Sequence, residues 1–520
     1  MVMLADLSRR TLLKGSMAIA AGTVVPSTAS AQDLKIIRVH ATKDMANIDP
    51  SERIDVNDER IMAMIYSSLV RQKEGLEWGW ELDIAESIEA VDPTHVRFTL
   101  RPGVLWTNGF GEVTTEDVKY SYERIGKPEN ESAYKIDWEL LDHVEIIDKY
   151  TGVIVMKQPS APLWTTSLPG RSGCIVCKAA IEGAGGGKFS TDPIATSGPY
   201  KIKDWQPNQK LVLDRNPGWN GEAYEFDEFH LVPVTDEKAA EVAFEAGELD
   251  LAFISISSIP LVKENIPAGA KLNVQPSLNY RWVGMNAEHP KLQDIRVRRA
   301  IQQAINVEEY LLAAYNGAAE RSFGIVPPGM VGHRDYNLMK YDPAASKALL
   351  AEAGVGGIEL TLNIINKADD LAGAQVVQSN LAEVGIKVEI IPNDSGVYYT
   401  LGLESEGEMW KDVQLTIQRF GIGSDPSWGT AWFVCEQVGV WNWQRVCSTE
   451  FDELHQKAMT ELDPAVRYPM YIRMQDIMEE SGAYVFTTHG PNAYLYSDRI
   501  VPSPDPDGRY QYRLKHFKLA

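Results

Sequence analysis

Leu360, Leu362 and Ile364 alternate with polar neighbours over residues 359–365, the period of two that a strand with one buried face requires. Residues 371–384 then carry a helical period stopped by Gly385, and residues 386–390 alternate again. Strand, helix and strand joined this closely predict a parallel pair with a right-handed crossover, the helix lying on the sheet. Ahead of this unit, residues 294–305 set Val297, Ala300, Ile301 and Ala304 on one helical face; Arg296, Arg298 and Arg299 take other faces and are expected in solvent. Asp342 as N-cap, Pro343 in the first turn and Gly354 beyond Leu349, Leu350 and Ala353 frame a further helix. Residues 238–246, Gly247 and residues 249–254 read as helix, stop and strand, and residues 96–105 and 211–213 as strand pieces between turns. The pattern predicts an α/β fold.

Length divides that fold. After a leader, about 490 residues remain, too many for one core, so two or three lobes are expected. Two of them join somewhere in residues 275–286, where Tyr280, Arg281, Trp282 and Asn286 mix aromatic and polar side chains; this suits either a crossing strand beside a cleft or an ordinary buried strand. The leader is read from Ser8-Arg9-Arg10-Thr11-Leu12-Leu13-Lys14, the apolar run over residues 17–25 and the small triplet Ala29-Ser30-Ala31, a twin-arginine export signal with the mature chain starting near Gln32. Its apolar core, about ten residues, is too short to span a bilayer of about 30 Å. No cysteine lies near the cut, so neither a helical nor a lipid anchor is expected, and the protein is expected to be soluble in the periplasm. A net charge of −22 argues against nucleic acid and anionic lipid as partners.

In an oxidising compartment the cysteine pairs become readable. Bridging Cys435 to Cys447 would restrain a loop carrying Trp441, Asn442 and Trp443, with a stabilisation on the order of 3 kcal/mol. Cys174 and Cys177 have redox-motif spacing without a thioredoxin-like unit around them, and a local structural bridge is expected. Catalytic chemistry finds no support: there is no His-Glu-x-x-His helix for a metal and no Gly-x-Ser-x-Gly elbow. The run Gly183-Ala184-Gly185-Gly186-Gly187-Lys188-Phe189-Ser190 imitates a phosphate loop, but Glu182 stands where its first glycine belongs and Phe189 where a Ser or Thr would hold magnesium. A surface loop is expected there. The chain is not expected to be an enzyme, although a secreted hydrolase on an α/β frame stays open as an alternative.

A series of short motifs gives the chain a family. Ile48-Asp49-Pro50, Ile65-Tyr66-Ser67-Ser68-Leu69-Val70 and Phe98-Thr99-Leu100-Arg101-Pro102-Gly103-Val104-Leu105-Trp106 are followed by Thr114-Thr115-Glu116-Asp117-Val118. Thr196-Ser197-Gly198-Pro199-Tyr200, Arg215-Asn216-Pro217-Gly218-Trp219 and Ala246-Gly247-Glu248-Leu249-Asp250 come next, then the helices over 294–306 and 341–354. In this order they resemble the extracellular solute-binding proteins of the peptide and nickel class (family 5), which deliver ligands to ABC importers. The resemblance implies a two-lobed periplasmic binding protein clamp with an extra inserted subdomain. Lobe one would comprise 32–66, 194–283 and 487–520, the subdomain 67–193, and lobe two 284–486. It implies capture of a small solute by lobe closure, an ABC permease as partner, a monomer, and no cofactor or resident metal.

The ligand is where the chain departs from these relatives. Peptide-binding members carry an Asp three residues before an Asp-Pro pair to hold the peptide's amino group; here Asp425-Pro426 is kept, and the earlier position is Ile422. Nickel-chelate members place a Trp five residues before that Asp and a Tyr just before it, where this chain has Phe420 and Ser424. The expected ligand is a small polar or anionic solute, peptide-like, an opine or a sugar derivative, with a metal chelate (nickel or an organic chelator) as the alternative. The expected ligand-binding residues are Asn47, Arg281, Arg419, Phe420, Gly421 and Ser424, with Trp428, Trp432, Trp441 and Trp443 as stacking walls. Asn286 is a further candidate on the crossing strand.

Overall fold

The computed structural model describes residues 34–52, 56–75, 77–127, 130, 132, 134–504 and 512–520. Residues 1–31, read above as an export leader, lie outside the described residues. The crossover predicted at 359–390 is present: the strands Glu359–Ile365 and Lys387–Asn393 pair in parallel, with Leu362 opposite Ile390, and the helix Ala368–Glu383 connects them. Ala374, Val377 and Leu381 of that helix are buried with Leu360, Leu362 and Ile364, which is why the apolar period continues through the helix. These strands belong to a five-stranded sheet ordered Lys387–Asn393, Glu359–Ile365, Leu415–Gly421, Asn279–Met285, Tyr484–Thr488.

A seven-stranded sheet forms the other lobe, ordered Tyr200–Gln206, Lys210–Arg215, Glu228–Pro233, Ile36–Ala41, Leu251–Phe253, Pro491–Ser497, Ala270–Pro276. The inserted segment folds a four-stranded antiparallel sheet from Ala85–Asp92, His95–Leu100, Thr151–Met156 and Leu141–Ile146. Its core runs without a break into that of the first lobe: Phe98, Ile154 and Tyr122 share one buried cluster with Ile37, Val39 and Phe229. Gly198 shows how tight this seam is. A Cβ there would lie 2.5 Å from the Ile65 carbonyl carbon, while the Gly198 amide donates to the Ile65 oxygen at 2.8 Å.

The chain passes between the two large sheets twice, side by side. Ser277 and Gly490 meet at the passage, where the Ser277 amide donates to the Gly490 carbonyl at 3.0 Å and the Ser277 hydroxyl to the His489 carbonyl at 2.5 Å. The whole of Asn279–Met285 pairs within the five-stranded sheet. Residues 279–283 and Thr487–Thr488 therefore sit with the second lobe rather than with the first. Tyr280 and Trp282 draw the strand there, fully buried in an aromatic cluster with Phe420 and Phe433.

Two further expectations are corrected. Arg298 is buried, not solvated: it donates to the carbonyls of Leu292 at 2.7 Å, Gln293 at 2.9 Å and Ser481 at 2.8 Å, satisfying backbone oxygens that packing has removed from water. Cys435 and Cys447 are bridged, but Cys174 and Cys177 are separate buried thiols. Cys174–Ile175 is a strand paired with Ser67–Ser68, and Cys177 caps the helix Lys178–Gly183 from an extended conformation. Three extended residues span about 10 Å, beyond the roughly 7 Å that a disulfide bridges. The Gly183 to Ser190 run is an exposed turn in which Gly187 accepts from Arg124 and the Phe189 amide donates to Asp49, so its backbone serves the fold.

Candidate functional site

A cleft of about 640 Å3 lies where residues of both lobes meet. Its polar side chains come from the ends of strands. Thr42 follows Ile36–Ala41, Ser255 and Ser257 follow Leu251–Phe253, and Lys367 follows Glu359–Ile365; Arg419 sits near the end of Leu415–Gly421. These are carboxyl ends, where backbone polarity and loop freedom concentrate ligand contacts in open α/β sheets. The volume suits a solute of several residues or rings.

Cations dominate the cleft, but they differ in what already occupies them. Arg281 is 7 % exposed, and its Nη1 lies 2.9 Å from both Asp369 and Asp370. Tyr315 stacks below it at 5.5 Å. Burial pushes the Asp370 carboxyl above its ordinary range, against the pull of Arg281. Arg60 lies over the rings of Phe253 and Tyr512 at 4.7 and 4.6 Å and donates to Asn57 at 3.0 Å. Arg419 differs: it lines the cleft, and its guanidinium makes no hydrogen bond or ion pair with another described residue. Lys367, in the same wall, is held below its ordinary pKa by burial and by the Arg419 charge. A guanidinium with five donors and no carboxylate partner is suited to an incoming anion.

Arg419 and Phe420 point to opposite faces of their strand, as neighbours in a strand must. Phe420 packs edge-to-face with Trp441 at 5.8 Å and with Trp432 at 6.3 Å, and Trp432 meets Trp428 at 5.7 Å. These four are half-buried and form one continuous aromatic wall. They do not line the cavity that holds Arg419. Trp443 is a core residue, 3 % exposed with Ile365 and Tyr398, so its expected place as a stacking wall is corrected. Gly421 ends the strand opposite Asn279.

Ser424 and Asp425 anchor the loop after Arg419. The Ser424 hydroxyl accepts from Gln72 at 2.8 Å, a contact with the inserted subdomain. Asp425 is fully buried and takes both nitrogens of Arg467 at 2.9 and 3.1 Å, together with Thr165 and Ser427. Burial alone would raise its carboxyl; Arg467 holds it below the usual carboxylate range. Ile422, where peptide binders have the amine-holding Asp, is 0 % exposed and packed on Gly429. Asn47 turns inward and accepts from the Asp49 amide at 2.9 Å, closing a local turn. Asn286 donates to the carbonyls of Trp410 and Val413 at 3.2 and 3.0 Å, a structural role.

The sequence reading missed Thr42, Ser255, Ser257 and Lys367. Ser255-Ile256-Ser257-Ser258 directly after a buried strand was an available signal, because a polar run at a strand's carboxyl end is where such a cleft opens. Among the described residues no group of His, Cys, Asp and Glu could hold a metal ion, and no helix is long and apolar enough to cross a membrane.

Two α/β lobes joined by paired crossing segments, with a solute-sized polar cleft at their strand ends, define a periplasmic solute-binding clamp. The fold is shared with HbpA2 from Haemophilus parasuis (TM-score 0.81, 19 % identity, covering 93 % of this chain and 100 % of that one). It is shared too with AgaA, solved in complex with agropinic acid from A. tumefacien R10 (TM-score 0.73, 20 % identity, covering 93 % and 99 %). Residues 80–439 match the bacterial extracellular solute-binding proteins, family 5 (middle), and the chain belongs to that family. Over 467 residues it is 26 % identical to the glutathione-binding protein GsiB of Escherichia coli (strain K12), covering 87 % of this chain and 88 % of that protein.

Proposed function

We propose that this chain captures a small organic acid in its interlobe cleft, with Arg419 as the anion anchor, and delivers it to an ABC permease. The observation that carries the reading is the Arg419 guanidinium, facing the cleft without a carboxylate partner among the described residues. Ile422 supports it from the other side: a buried apolar side chain at that position cannot hold a peptide's ammonium. GsiB is named for glutathione and AgaA was solved with agropinic acid, both carboxylate-bearing solutes of a size that the cleft admits. The lobes would close about the segments paired at Ser277 and Gly490. Export through the twin-arginine route, directed by Arg9 and Arg10, would bring the chain to the periplasm as a monomer.

The test is a thermal-shift screen of protein freed of carried-over ligand by unfolding and refolding. Glutathione, agropinic acid, neutral oligosaccharides, peptides and a nickel–histidine complex are offered in turn. A true ligand at about 100 times its Kd adds about 2.7 kcal/mol of stability. The expected outcome is stabilisation by a carboxylate-bearing solute, with affinity reduced at least tenfold in Arg419→Ala, a loss of about 1.4 kcal/mol or more. Stabilisation by neutral sugars alone, or an Arg419→Ala variant that binds the acid unchanged, would overturn the anchor.

A further inference from the structure

Two opposite charges reach the cleft from opposite lobes. Glu237 opens the helix Glu237–Glu245 of the first lobe, and Lys367 stands immediately before the helix Ala368–Glu383 of the second. Both line the cleft and both are exposed there. Their charged neighbours are already engaged. On the first lobe Glu241 accepts from the Ser255 amide at 3.0 Å, the Ser258 hydroxyl at 2.6 Å and Lys238 at 3.2 Å. On the second, Asp369 and Asp370 each lie 2.9 Å from Arg281. The side chains of Glu237 and Lys367 make no hydrogen bond or ion pair with a described residue, each other included.

Local structure explains one of the two and not the other. An acid in the first turn suits the positive end of a helix, so Glu237 has a reason to be where it is. Lys367 has none of that kind: it occupies an N-cap position, makes no capping bond, and brings a cation to an end that favours anions. A local rule broken without a local gain is expected where function demands the residue. The two charges also feel each other through the cleft. Protein crowding and the Glu241 charge raise the Glu237 carboxyl, and Lys367 acts against them from the other lobe. Lys367 is held down by burial and by Arg419, with Asp369 and Asp370 acting the other way.

We propose that Glu237 and Lys367 meet as an ion pair when the cleft narrows, a latch between the lobes that closure itself completes. Motion about the passage at Ser277 and Gly490 brings opposite walls together, and approach is all that this pair lacks. The latch rests on the reading of the cleft as a closing clamp, and not on Arg419 as its anchor. It also gives closure a preference. Lys367 and Arg419 repel, so an anion held beside Arg419 offsets that repulsion and leaves Lys367 to Glu237, whereas a neutral solute gives no such help.

Carbodiimide coupling tests the pair on the unaltered mature chain, freed of solute by unfolding and refolding. The reagent activates a carboxylate, and an amine in contact displaces it to leave an amide, so only touching groups are joined. At low salt the expected product, read by mass spectrometry of a digest, is the peptide carrying Glu237 joined to the peptide carrying Lys367. It should fade at about 1 M salt, where the Debye length is about 3 Å. No such product at low salt would overturn the latch. Charge reversal supplies a second reading by small-angle scattering of the same solute-free protein. Glu237→Lys and Lys367→Glu should each increase the radius of gyration, and the double swap should restore it; a double swap as open as either single variant would overturn the pair. Arg419→Ala should keep the coupled product. The screen for an anionic solute can therefore fail while the latch stands, and the latch can fail while the anchor stands.

Discussion

At Lys515 folding and charge conflict, because the side chain is buried. Its ordinary pKa of 10.5 falls to about 8 on burial, so the folded chain loses this proton at lower pH than the unfolded chain. Below pH 8 both states hold the proton and the burial cost is present in full; between about 8 and 10.5 the unfolded chain binds more protons, and stability from this group rises with pH. The full rise is about 3 kcal/mol. The change in urea midpoint on going from about pH 7.5 to about pH 10 should be more positive for the unaltered protein than for Lys515→Met. A variant that follows the same pH curve would show that Lys515 carries no such cost. Other residues defeated the sequence for a related reason. Arg298 reads as surface because arginine usually is, yet its place was set by three carbonyls that only the folded backbone brings together. Trp441 and Trp443 stand two apart and differ in fate, one in a half-buried wall and the other in a core beside Tyr398, with nothing in their spacing to separate them.

At the scale of elements the sequence was far more legible. The strand predicted over 359–365 is Glu359–Ile365, and the capped helix behind Asp342 is Pro343–Glu352, with Asp342 accepting from the amides of Ala344 and Ala345. Periodicity and capping are local, and local rules suffice where burial follows the repeat. The bridge between Cys435 and Cys447 was legible from compartment and spacing, whereas Cys174 and Cys177 follow the backbone, which is extended between them. Replacing Cys435 and Cys447 together by Ser should lower stability by about 3 kcal/mol, read from urea melts. Because the other two cysteines are already thiols, dithiothreitol should bring the unaltered protein to the same midpoint. A reductant that leaves the melt unmoved would mean that the bridge contributes nothing to stability.

On the scale of the whole molecule, the two-lobed plan could be read from motif order, but the cleft could not. Thr42, Ser255, Lys367 and Arg419 are scattered along the chain and meet only because two sheets aim their strand ends at one space. Export is a whole-chain property and is tested as one. Replacing Arg9 and Arg10 by Lys should hold the protein in the cytoplasm with its leader uncut, and the exported chain should begin near Gln32; cutting elsewhere, or export of the variant, would remove the twin-arginine assignment.

The inserted subdomain grips the second lobe through Thr165 to Asp425 at 2.9 Å, Gln72 to Ser424 at 2.8 Å and the Ala161 amide to the Met459 carbonyl at 3.0 Å. None of these bonds involves a solute. Any of them that holds only while the lobes are shut would favour the shut conformation whether or not the cleft is loaded, and every 1.4 kcal/mol of such grip would multiply the shut, vacant fraction about tenfold. A stronger grip tightens retention of cargo, and it also sends more vacant clamps to compete for the importer's docking face. Transport rate in the cell would then pass through a maximum as the grip is strengthened, with the fastest uptake belonging to a clamp that holds its solute less tightly than it could.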